Sequence, residues 1–270
     1  MSASYPTPAL RILIADDNPV NRMVLGACLR SLGYESKAVA DGRAVLQAME
    51  EESFDIIFMD LHMPVMSGFE AASGIRKKGS DPERPWIVAL TATAGPNDRQ
   101  GCLSHGMNDL VLKPAGTPEI SRILELVTRK RFCPEAPEQK ETAPPERTPG
   151  PSDDTDLPCP PVCLERLLEN CAGRKDFAEK LIRIFLQRFP HDLQEILMAA
   201  AGGHPEKVVS VAHRLKGTAA TIAADSLHRK ADELERLASQ EILGEPASEA
   251  VRELECLAEQ IRRFHKSLAS

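Results

Sequence analysis

Between Arg131 and Pro161 the chain reads RFCPEAPEQKETAPPERTPGPSDDTDLPCPP, and this run constrains the fold more than any other. Nine of the 21 prolines fall in it, with hardly any large apolar side chains. Proline removes a backbone donor that helices and inner strands use. A stretch without apolar side chains cannot bury enough surface to offset its ordering entropy. One continuous core across all 270 residues is therefore excluded. We expect two folded units, residues 10–130 and 161–270, joined by an extended, flexible linker over 131–160. A linker of this kind reaches roughly 25–30 Å, enough for one unit to dock on the other.

The first unit alternates apolar runs with amphipathic segments. RILIA (11–15), SKAVA (36–40), DIIFM (55–59), WIVAL (86–90) and DLVL (109–112) read as strands. Helical patterns follow near 19–32, 42–52, 68–78, 97–105 and 117–130. Five such repeats imply an α/β unit, a doubly wound five-stranded parallel sheet covered on both faces. The second unit has no strand-like run and is expected to be all-α, a helical bundle with a mainly aliphatic core. Its stops are expected at Pro190, GGHP (202–205) and GEP (244–246). Leu181, Ile184, Phe185, Leu193, Ile196 and Leu197 form the expected core stripe of one helix.

Charge and cysteine narrow the function classes. The net charge is −7, much of it in the proline-rich run, and neither flanking unit is basic. Nucleic acid is an unpromising direct partner. The 7 cysteines are scattered without a C-x-x-C pair, as in a reducing compartment. No run is long enough to insert in a membrane, and the start carries no secretory pattern. The expectation is a cytoplasmic protein, and the short segment before Leu10 favours a free-standing one.

Polar residues close the strands of the first unit. Asp16 and Asp17 follow the first strand, Asp60 ends the third, Thr91 follows the fourth and Lys113 the fifth. In an open parallel sheet the carboxyl ends of strands border one crevice, so these five should converge. Three carboxylates together repel unless a cation joins them, and hard oxygen ligands with room for water and a phosphoryl group suit Mg²⁺. Lys113 and the Thr91 hydroxyl can meet phosphoryl oxygens, with Asp60 as nucleophile forming an acyl phosphate. Taken singly, each residue has a plainer explanation, the aspartates and Thr91 as helix caps among them.

The runs ILIADDNPVNR, FDIIFMDLHMPVMSGFEA, VALTATA and MNDLVLKP resemble the response-regulator receiver domain of two-component signalling, a flavodoxin-like fold. The resemblance implies that Asp60 accepts the phosphoryl group. It also implies that Asp17 and the His62 backbone carbonyl bind Mg²⁺ directly and Asp16 through water. Thr91 and Lys113 would contact phosphoryl oxygens, and Lys113–Pro114 would be cis. Two positions depart from the family pattern. Leu110 stands where an aromatic residue usually rotates inward, and Ser67 where the loop is usually acidic.

The second unit offers VAHRLKGTAATIAA. At about 100° per residue, Val208, Val211, Leu215, Ala219 and Ile222 share one face, and His213 lies opposite it. Val209, Lys216, Gly217 and Ala220 border the histidine on the expected exposed stripe. A metal site would need ligands at three or four residues' spacing, and Lys216 and Gly217 cannot serve. A phosphorylated imidazole accounts for both: Lys216 pairs with its oxygens, and Gly217 clears the approach of another protein. The run resembles the histidine-containing phosphotransfer (HPt) domain, with Ala220 and Thr221 where Gly and Asn are frequent.

Together the resemblances imply a phosphorelay intermediate and not an enzyme with its own ATP site. A sensor histidine kinase would donate to Asp60, and His213 would exchange with receiver aspartates, including that of a downstream response regulator. Two alternatives are the C-terminal portion of a hybrid sensor kinase, and a phosphorylation-gated binding module without onward transfer.

Overall fold

The computed structural model describes residues 10–78, 85–91, 96–132, 160–171 and 173–268. The stretch expected to be a linker lies almost wholly outside them. Five strands, β1 (Ile12–Ala15), β2 (Ser36–Val39), β3 (Ile56–Asp60), β4 (Trp86–Thr91) and β5 (Asp109–Leu112), pair in parallel in the order β2-β1-β3-β4-β5. Alternate residues of each strand point to opposite faces, and helices cover both. Ile12, Ile14, Phe58 and Val88 pack on α1 (Pro19–Ser31) and α5 (Thr117–Phe132) through Leu25, Leu29, Ile120 and Ile123. Leu13, Ile57 and Met59 pack on α2 (Gly42–Glu51) and α3 (Gly68–Lys78), with α4 (Pro96–Ser104) adding Cys102. Burial on both faces is why ILIA and IIFM read as unbroken apolar runs. The order reverses direction between β1 and β3, and the crevice at that switch point is where their carboxyl ends open.

The described C-terminal residues are helical. Short α6 (Leu164–Asn170) leads into α7 (Lys175–Ala201), α8 (Pro205–Thr221), α9 (Asp225–Ser239) and α10 (Glu245–Leu268). α7 packs on α8 and α10, and α9 packs on the same two, closing a four-helix bundle. Val208, Val211, Leu215, Ala219 and Ile222 are all buried in its core, as their spacing predicts. No helix among the described residues is long and apolar enough to cross a membrane.

Two expectations need correction, and one helix end carries no mark in the sequence. Pro190 does not stop α7, which runs through it. A proline inside a helix costs about 3 kcal/mol, but Phe185, Phe189, Leu193 and Ile196 bury the opposite face on both sides of it. The proline itself is exposed, so water can reach the carbonyl it leaves unpaired. Leu197, expected in the core stripe, is 49% exposed. The helix through His213 ends at Thr221 without a glycine or proline to mark it. Ala223 takes φ 55 there, and the Ala223 and Ala224 amides cap the carbonyls of Ala220 and Ala219.

The two units meet along α1. Its inward residues Leu25, Cys28 and Leu29 belong to the sheet core. Its outward residues Val20 and Val24, 1% and 6% exposed, belong instead to the core of the helical bundle, with Met23 and Ala27 packed at the edge.

Candidate functional site

All five polar strand-end residues occur in the described structure, and four of them converge. One carboxylate oxygen each from Asp16, Asp17 and Asp60 lies within 4.8 Å of the others. Lys113 bridges two of them, with Nζ 2.8 Å from Asp16 Oδ2 and 2.7 Å from Asp60 Oδ2. Thr91 is buried at the end of β4, and its carbonyl accepts the Lys113 amide at 2.7 Å. That bond holds the lysine at the mouth of the crevice, and the peptide after it, Lys113–Pro114, is cis as expected. Asn18, not an aspartate, is the N-cap of α1, its Oδ1 accepting the Val20 amide. The aspartates are thereby left for the site, and the plainer capping explanation does not apply to them.

The charges press on one another. Burial, then Asp16 and Asp60, push the Asp17 carboxyl up to about 6, against the pull of Arg214 and Lys113. Burial likewise raises Asp16. For Lys113 burial opposes the charge, but Asp16 and Asp60 outweigh it and raise its pKa. A cluster of three hard oxygen donors with a single ammonium among them fits a divalent cation such as Mg²⁺.

The loop after β3 is shaped to this site. The His62 amide donates to Asp60 Oδ1 at 3.2 Å. Gly68 passes so close to β3 that a Cβ there would lie 2.2 Å from the Asp60 carbonyl oxygen. Ser67 and Glu70 form a reciprocal cap for α3. The Ser67 amide and hydroxyl donate to Glu70 Oε2, and the Glu70 amide donates back to Ser67 Oγ. This accounts for a serine where an acidic residue was expected. Leu110 is half-buried against the α2–α3 side of the sheet.

His213 lies outside the bundle core, as expected, but it is not simply exposed. Its side chain is 18% accessible, and Nδ1 lies 2.9 Å from Glu235 Oε1 on α9. Lys216 departs further from expectation. Its side chain is 8% exposed, turned under the histidine to pair with Glu235 at 2.5 Å and Asp232 at 3.0 Å. The acids of α9 draw it in: burial opposes its charge, and Glu235 and Asp232 outweigh burial to raise its pKa. Glu235 is held low by His213 and Lys216 despite burial. Sequence reasoning missed Glu235 because it comes 22 residues later and on another helix. The one signal was a run of acids, Asp232, Glu233 and Glu235, beginning one helix after a histidine and a lysine.

A cleft of about 270 Å³ lies between the two units, lined among others by Asp17, His62, Ser67, Val209, His213 and Glu235. The His62 and His213 rings meet edge-on with centroids 4.6 Å apart. Desolvation and then His213 lower the His62 pKa. Arg214, half-buried and paired with Asp192 and Glu195 at 2.8 Å, also reaches to 3.7 Å from Asp17. Gly217 faces the first unit, where a Cβ would touch Asn21 Nδ2 at 3.7 Å, an ordinary contact. An alanine would fit, so the glycine gives clearance only against larger side chains.

Comparison with known proteins supplies the assignment. Residues 12–125 match the model of the response regulator receiver domain, and residues 180–264 match that of the Hpt domain. The chain is a receiver domain followed by an Hpt domain. The sensor protein GacS of Pseudomonas syringae pv. syringae is 29% identical over 236 residues, 86% of this chain and 25% of GacS. The virulence sensor protein BvgS of Bordetella bronchiseptica is 27% identical over 239 residues, 87% of this chain and 19% of BvgS. The chain thus spans about a quarter or less of the length of these relatives. Among solved structures, the receiver domain of a Pseudomonas aeruginosa PAO1 sensor histidine kinase, with magnesium in its active-site cleft, is 43% identical. It covers 44% of this chain and 96% of its own, with a TM-score of 0.41.

Proposed function

We propose that this chain carries phosphoryl groups in a phosphorelay, with Asp60 and His213 as the two carriers. In this reading residues 10–130 form the receiver and residues 161–270 the Hpt unit. The observation that carries it is that Asp17 of the acidic cluster lines the same cleft as His213 and Glu235, with the ring of His62, two residues after Asp60, set against that of His213. Asp60 attacks the phosphohistidine of a sensor histidine kinase. Its carboxylate oxygen forms the new P–O bond as the P–N bond breaks, leaving an imidazole. Lys113, with the Thr91 hydroxyl, neutralises charge on the transferring oxygens. Asp17, Asp60 and the His62 carbonyl would hold Mg²⁺, with Asp16 acting through water. When bound, the ion offsets the charge of the carboxylates and of the phosphoryl group.

At the second carrier, Glu235 holds the Nδ1 proton of His213 and leaves Nε2 with the lone pair that attacks phosphorus. In the phosphorylated product the positive charge lies on the ring, which keeps its Nδ1 proton, and Glu235 pairs with it. Lys216, already one turn away, supplies charge to the phosphoryl oxygens. From His213 the group passes to the aspartate of a downstream response regulator. The match to GacS and BvgS runs across both domains, which favours a second reading in which the same two carriers serve a hybrid sensor kinase.

The test is phosphotransfer from a labelled kinase to wild type, Asp60→Asn and His213→Gln. The expected result is no label on Asp60→Asn and label confined to Asp60 in His213→Gln. Label that never reaches His213 in wild type would remove the relay and leave a phosphorylation-gated docking module.

A further inference from the structure

The bundle face around His213 is already covered, and what covers it is this chain's own receiver. Helix α1 divides its apolar residues between two cores, with Val20 and Val24 buried among the side chains of the Hpt bundle. Beside them run polar contacts in matched spacing. Asn18 Nδ2 donates to Thr218 Oγ1 and lies 3.4 Å from the Arg214 carbonyl oxygen. One turn along, Thr221 Oγ1 donates to Asn21 Oδ1 at 3.0 Å. Both threonines, 6% and 3% exposed, are closed off from water. Asn21 in turn donates to the Asp16 carboxylate at 3.2 Å, and Lys113 joins Asp16 to Asp60. The Asp17–Arg214 pair adds a charged contact on the same side of α8, one turn before Thr218.

We propose that the α8 face of the Hpt domain is keyed to the receiver of the same chain through Asn18–Thr218, Asn21–Thr221, Val20 and Val24. Phosphoryl exchange between Asp60 and His213 then runs within one molecule, and a second receiver reaches His213 only when the resident one lifts away. This rests on the phosphotransfer reading above. The step itself is balanced. His213 Nε2 forms the P–N bond as the P–O bond of the Asp60 acyl phosphate breaks, and Asp60 leaves as carboxylate. The Nδ1 proton stays between the ring and Glu235. The sequence already held a trace of this device. Thr221 sits where asparagine is frequent in the family, and here the asparagine comes from the receiver as Asn21.

The test uses full chains labelled at Asp60 with acetyl [³²P]phosphate. In wild type, transfer to His213 should keep one first-order rate on dilution. A mixture of His213→Gln donor and Asp60→Asn acceptor chains should be about 100-fold slower at about 10 µM, since a tether gives a local concentration near millimolar. Val24→Asp, which opens the α1 contact and replaces none of the charged groups of either site, should slow the wild-type reaction at least about tenfold. Unchanged labelling of Asp60 in that variant reports an intact receiver. Placed instead in the Asp60→Asn acceptor, Val24→Asp should speed transfer from the donor chain, because the resident receiver no longer covers His213. The proposal is overturned if the wild-type rate falls with dilution, if the mixture keeps pace with it, or if Val24→Asp leaves the acceptor's rate unchanged. Absence of label on His213 in every chain would instead overturn the phosphotransfer reading.

Discussion

The Asp60 and His213 sites gather charge in opposite ways. Around Asp60, three carboxylates from two strand ends face Lys113, with Arg214 3.7 Å from Asp17, so negative charge is still in excess. Around His213, Lys216 pairs with both Glu235 and Asp232, and the imidazole Nδ1 lies against Glu235. The first site is poised to draw in cations and phosphoryl groups. The second has its lysine paired with acids before any phosphoryl group arrives. Strand ends let far-separated residues converge on a crowded point, whereas a helix face offers neighbours at fixed spacing and takes its acid from the next helix.

This contrast can be broken most sharply at Lys113. Lys113→Ala should lower the rate of Asp60 labelling by about 10²–10³, the cost of losing a charge aimed at the transferring group, with initial rates from acetyl phosphate as the measurement. Gly68→Ala should cost about 2–3 kcal/mol in urea unfolding, since its Cβ would overlap the Asp60 carbonyl. An unchanged midpoint would show that the loop gives way there.

Asp17 tests the crowding itself. Its folded pKa of about 6 lies above the ordinary value of 3.8, so the folded state holds its proton more tightly. Its contribution is fully present below pH 3.8 and is lost as pH rises through about 6. In chelator, Asp17→Asn should therefore match wild type near the low end of that window. Above it the variant should be the more stable, by up to about 3 kcal/mol. Equal stability at pH 7 would remove the crowding argument. Glu235→Gln should have the smallest effect. Slower labelling of His213 by about tenfold, one charge-assisted hydrogen bond in size, is expected in a quench-flow assay. Labelling of Asp60 should be unaffected.

The receiver was legible because its chemistry is written at strand ends. A strand buried on both faces announces itself as an apolar run, and the residue after it points to the crevice, so Asp16, Asp60 and Lys113 could be placed from spacing alone. The bundle was legible only where spacing within one helix decides the outcome. The α8 face was found correctly, but Lys216 was read as exposed because its destination depends on the acids of α9. Glu235 was missed for the same reason. Ala223 ends a helix without a glycine because its neighbours' carbonyls and a buried site hold the left-handed turn in place. Pro190 failed as a stop because packing on either side outweighs its local cost. Contacts between elements, not propensities within them, account for each of these.

The division of α1 between two cores has a consequence for how the molecule melts. A helix that supplies Leu25 and Leu29 to the sheet and Val20 and Val24 to the bundle cannot leave either without exposing the other. Two domains on a plain tether would show separate transitions in calorimetry, each indifferent to changes in its neighbour. Here the domains should unfold as one cooperative unit or as two closely coupled ones, and a substitution in the bundle core should lower the melting temperature reported from the sheet.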